Sequence, residues 1–148
     1  MTMRRALLAA AAWLGVAMSA PFAGAQPVLD FDAPKVSAEI ANHLAKRDLD
    51  AAAGAAERLM EGTKADKLRD VFQLVMTLGQ SQYTDLVYAR DYGKTEKDVI
   101  YKIDYDKAFL FVRFLYHVDN GAWRLIHIHL KTENDETFPK EWVHIYPK

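Results

Sequence analysis

Between Val36 and Leu78 the apolar positions recur every three or four residues, and between Tyr83 and Thr132 they recur every second residue. The first spacing is that of helices buried along one side; the second is that of strands whose two faces meet different surroundings. Val36, Ile40 and Leu44 form one stripe of a helix that starts after Asp32, tolerates Pro34 in its first turn and ends near Arg47. Asp48 or Asp50 can cap a second, alanine-rich helix over residues 51–60, stopped by Gly62. Thr63 to Asp66 resembles a capping box, and Leu68, Val71, Phe72, Val75 and Leu78 mark a third helix closed by Gly79. Strands are expected over residues 83–92, 98–105, 108–119 and 122–132, with a shorter one over 142–146.

Two short turns set the pairing. Asn120-Gly121 as a two-residue loop places Val118 opposite Trp123, Tyr116 opposite Leu125, Phe114 opposite His127 and Val112 opposite His129. Asp106-Lys107 as another places Tyr101 opposite Val112 and Ile103 opposite Leu110. One face then holds Tyr101, Tyr116, Trp123, His127 and His129 among Val99, Ile103, Leu110 and Phe114, and this is the face the helices are expected to cover. The other holds Phe109, Phe111, Leu115, Ile126 and Ile128, an apolar patch that points to a homodimer packed face to face. The expected class is α+β, with three N-terminal helices on a curved antiparallel meander of four to five strands.

The N-terminus changes the picture of where this domain works. Arg4 and Arg5 precede an apolar run to Ala20 and the small-residue site Ala23-Gly24-Ala25, the order of an export signal cut after Ala25. Residues 1–25 are thus read as a cleavable signal peptide, 26–32 as a flexible leader and 33–148 as the domain, placed in the periplasm or outside the cell. The run is too short and alanine-rich to serve as a transmembrane span, so no membrane span is expected in the mature chain. A formal net charge of −1 gives no electrostatic footprint for nucleic acid. With no cysteine there is no thiolate nucleophile, disulfide or thiolate metal ligand.

Candidate chemistry gathers on the strands. His127 and His129 lie two apart on one strand, so both imidazoles project to one side, about 7 Å apart at Cα. Such a pair could hold zinc with a third ligand from another element, but no residue announces itself as that ligand, so no metal and no other cofactor is assigned. Tyr88, Tyr101, Tyr116, Trp123, His127 and His129 together would line an apolar cavity with a few polar tips, a composition suited to a small apolar ligand. Core packing is the competing reading, under which His127→Ala lowers stability. No glycine-rich phosphate loop, nucleophile elbow or His-Glu metalloprotease motif is present.

AKRDLDAA at residues 45–52 and VDNGAWRLIHIHLKT at residues 118–132 resemble, respectively, the helix-to-helix joint and a recurring hairpin of the nuclear transport factor 2-like superfamily. That resemblance implies a cystatin-like α+β roll with a cone between helices and sheet. In the superfamily's enzymes the cone holds an Asp or His base, and only His127 and His129 correspond here. No acidic residue falls on the inward face of the last three long strands, and the facing of Asp85 on the first is open. Whether the chain is an enzyme is left open, with two readings standing. One is an exported binding or assembly module of the bacterial cell envelope; the other is a small-molecule lyase or isomerase with His127 or His129 as general base.

Overall fold

The computed structural model describes residues 30–132. Three helices, α1 (Ala33–Ala45), α2 (Leu49–Glu57) and α3 (Ala65–Phe72), are followed by a 3₁₀ segment (Gln73–Thr77). Four strands follow, β1 (Ser81–Tyr92), β2 (Glu96–Tyr105), β3 (Phe109–Asp119) and β4 (Ala122–Thr132). They form one antiparallel sheet in the order β1-β2-β3-β4. The architecture is α+β, helices packed against a four-stranded sheet. The strand expected over 142–146 lies outside the described residues, as does the export signal of residues 1–25.

Local chemistry explains the helix starts. The Asp32 carboxylate accepts from the Lys35 amide at 3.0 Å, and the Asp48 carboxylate accepts from the Ala51 amide at 3.1 Å, so Asp48 and not Asp50 caps α2. The capping box at Thr63 does not form. Lys64 occupies the cap of α3 without a side-chain bond, and Glu57 accepts from the Ala65 amide instead, at 3.1 Å. The third helix also ends sooner than its apolar spacing suggests. Phe72, Val75 and Leu78 are buried at intervals of three, the period of a 3₁₀ turn, and the Thr77 hydroxyl donates to the Leu74 carbonyl at 2.7 Å.

Residues 26–29 of the expected leader lie outside the described residues, and of the rest Phe31 makes ring contacts. Phe31 stacks on Trp123, ring centroids 5.5 Å apart, and meets the Tyr116 ring edge-on at 5.1 Å. Phe31 is therefore packed against the core, just ahead of α1.

Both turns form as expected. Asn120 and Gly121 have φ of 49° and 78°, as a type I′ loop requires, and the Tyr105 amide donates to the Ala108 carbonyl across Asp106-Lys107. Tyr101 pairs with Val112, Ile103 with Leu110, Val118 with Trp123 and Tyr116 with Leu125. Beyond Leu125 the pairing shifts: Leu115 faces His127, so Ile126 is one residue more than β3 can match. This β-bulge turns the rest of β4 over. Ile128 now pairs with Phe114 and Leu130 with Val112, both packed against the core, while His127 and His129 lie opposite Leu115 and Arg113.

Candidate functional site

The layer between helices and sheet is closed by tyrosines. From β2, the Tyr101 hydroxyl donates to the Pro34 carbonyl at 3.0 Å and the Tyr105 hydroxyl to the Leu44 carbonyl at 2.8 Å. From β3, Tyr116, with 0 % of its surface exposed, shares a 2.8 Å hydrogen bond with the buried Ser37 hydroxyl. Three phenols thus bind α1 at its start, middle and end. Burial raises the pKa of all three, most strongly Tyr105 and Tyr116, because a phenolate there would lose its hydration. Around them Ile40, Leu44, Phe72, Val75, Leu110, Val112 and Phe114 complete the core.

The six residues expected to line a ligand cavity do not come together. Tyr101 and Tyr116 are tied to α1, and Trp123 is stacked under Phe31. Tyr88 pairs with Ile100 and therefore sits on the side of the sheet away from the helices, where its hydroxyl meets that of Tyr92 at 3.1 Å. His127 and His129 are exposed on that same outer side. The inward placement of the two histidines is thus corrected, and the reason is the bulge at Ile126, which no turn residue announces. Asp85, whose facing was open, pairs with Lys102 and also looks outward.

The outer face differs from its expected composition for the same reason. Ile128 leaves the proposed interface for the core, whereas Phe109, Phe111 and Leu115 keep their outward register on β3. Phe109 and Ile126 remain 37 % and 49 % exposed, and the Lys102 ammonium stands 3.8 Å from the Phe109 ring centroid.

A polar constellation missing from the sequence reading lies on this face. Asp98 is 1 % exposed and takes a forked hydrogen bond from Arg113, 2.9 Å from Nε to Oδ1 and 2.6 Å from an Nη to Oδ2. The carboxylate raises the arginine pKa. Both residues sit at outward positions of adjacent strands, two places out of register, so strand spacing alone shows a charge pair without showing that it is buried. Next to it Arg90 covers the Tyr92 ring at 4.9 Å from the centroid, and the Tyr88 hydroxyl holds the Tyr92 phenol above its usual pKa.

Two of the cavities formed by the described residues are open to solvent. One of about 600 Å³ lies between the start of α1 and the β1–β2 hairpin and is lined by Asp30, Asp32, Arg90, Asp91 and Lys97 among others. The second, of about 350 Å³, lies between Met60, Glu61, His117, Arg124 and Ile126. Neither is lined by the tyrosines or by His127 and His129. Compared with known proteins, the chain matches no family model and no curated protein.

Proposed function

We propose that this protein is an exported assembly module of the bacterial cell envelope, built on the nuclear transport factor 2-like roll, that associates with a second copy through the outer face of its sheet. The observation that carries this reading is the opposite condition of the two faces. Inside, Tyr101, Tyr105 and Tyr116 are committed to α1; outside, Phe109 and Ile126 remain in water. An acid–base reaction in the cone is not favoured, since His127 and His129 open to the other side of the sheet. Export is supported by the Arg4-Arg5, apolar and Ala-Gly-Ala sequence alone.

Sedimentation velocity of the processed chain, with cell fractionation beside it, tests the proposal. The expected result is a dimer in the envelope fraction that Phe109→Asp converts to monomer with its circular dichroism unchanged. A wild-type chain that stays monomeric at about 100 μM, a concentration at which even weak self-association is visible, would overturn the reading.

A further inference from the structure

Two groups that the bulge turns to the outer face have a spacing with a chemical meaning. His127 Nε2 and His129 Nδ1 are 3.4 Å apart, their rings at 74° to one another with centroids 5.4 Å apart. Two imidazole nitrogens on one tetrahedral zinc ion, each about 2.0–2.1 Å from the metal, are separated by about 3.4 Å. The pair therefore spans one edge of a zinc tetrahedron, and a cation can sit between the two facing nitrogens. For that, His127 must keep its proton on Nδ1 and His129 on Nε2, which is the ordinary tautomer of a zinc-bound histidine with its second nitrogen donating outward.

We infer that His127 and His129 are half of a zinc site, completed by the same pair from a second copy of the chain. The inference rests on the self-association proposed above. Among the described residues no group of three or more metal-ligating side chains exists, so two positions of the tetrahedron await ligands from elsewhere. An isologous contact repeats every group on both sides of its axis, and a pair near that axis supplies four nitrogens without any new residue. The neighbourhood admits this arrangement. Leu115 lies across the ladder from His127 and the exposed Ile126 precedes it, giving the metal an apolar margin. Arg113, opposite His129, is neutralised by Asp98. Lys131 lies on the same face, opposite Phe111.

Sedimentation velocity and native mass spectrometry of the processed chain with zinc chloride, and again with EDTA, at about pH 7.5 test the inference. The expected result is one zinc ion per two chains and a dimer dissociation constant lowered at least about tenfold by zinc. His127→Ala and His129→Ala should each abolish the zinc effect while leaving circular dichroism unchanged, because both side chains are exposed. A dimer indifferent to zinc, EDTA and both variants would overturn the zinc bridge and leave the assembly reading standing. A chain monomeric with and without zinc overturns both, and a monomer that binds its own zinc ion overturns the shared site.

Discussion

At the scale of single residues, Tyr101, Tyr105 and Tyr116 each carry one polar atom into an apolar layer and bond it to α1. Tyr116→Phe removes that atom and leaves the Ser37 hydroxyl buried without its partner, at a cost of about 1–2 kcal/mol. Adding Ser37→Ala should return part of the loss, which urea denaturation of the two variants will decide. Burial also makes these phenols a source of alkaline sensitivity. An unfolded tyrosine loses its proton near pH 10, whereas Tyr101, Tyr105 and Tyr116 hold theirs to higher pH when folded. Their contribution is therefore complete below about pH 10 and lost as the pH climbs toward the folded values. In Tyr116→Phe the decline of unfolding free energy above pH 10 should be shallower, by up to about 1.4 kcal/mol per pH unit. An identical slope in the variant would refute the assignment. Residues of this kind are partly legible beforehand: alternation places Tyr101 and Tyr116 inside, but their hydroxyl partners come from α1, across a stretch of chain that no local pattern spans.

At the scale of elements, periodicity and turn chemistry are enough to find three helices, four strands and two registers, because each depends on neighbours within a few residues. Asp48 or Asp50 could cap α2 on sequence grounds, and only the packed helix distinguishes them. The bulge is different. Extending the Asn120-Gly121 register along β4 predicts His127 and His129 inside, and a single extra residue inverts that outcome. The chain offers a reason in hindsight, since a regular β4 would bury two imidazoles and expose Ile128 and Leu130. Core burial of those two aliphatic residues outweighs the broken ladder. Deleting Ile126 should consequently be tolerated: the shortened strand alternates regularly with Leu125, Ile128 and Leu130 still inward. Thermal melting of the deletion variant should show a cooperative transition, and a molten or unfolded chain would mean that the bulge itself is structural.

At the scale of the whole molecule, what the sequence conveys is the layer arrangement; what it conceals is which side of the sheet carries the two histidines. That side is decided by the bulge at Ile126, which has no local signature. The layers also set where the molecule opens first. β2 and β3 are flanked by strands on both sides and hold Val99, Tyr101, Ile103, Leu110, Val112, Phe114 and Tyr116 buried, whereas the far end of β1, residues 89–92, is exposed. Hydrogen exchange should be slowest in the centre of β2 and β3 and fastest at that end of β1. Uniform protection across all four strands would contradict this. The two margins of the sheet are moreover guarded by unlike means. On β4 the Leu125 amide already donates to the Leu59 carbonyl at 2.9 Å, so a stray strand finds that donor engaged. On β1 the deterrent is charge, with Asp85, Arg90 and Asp91 spaced along an exposed border. Runaway strand-by-strand polymerisation is thus opposed by one engaged donor on β4 and by electrostatics on β1, and high salt weakens only the second.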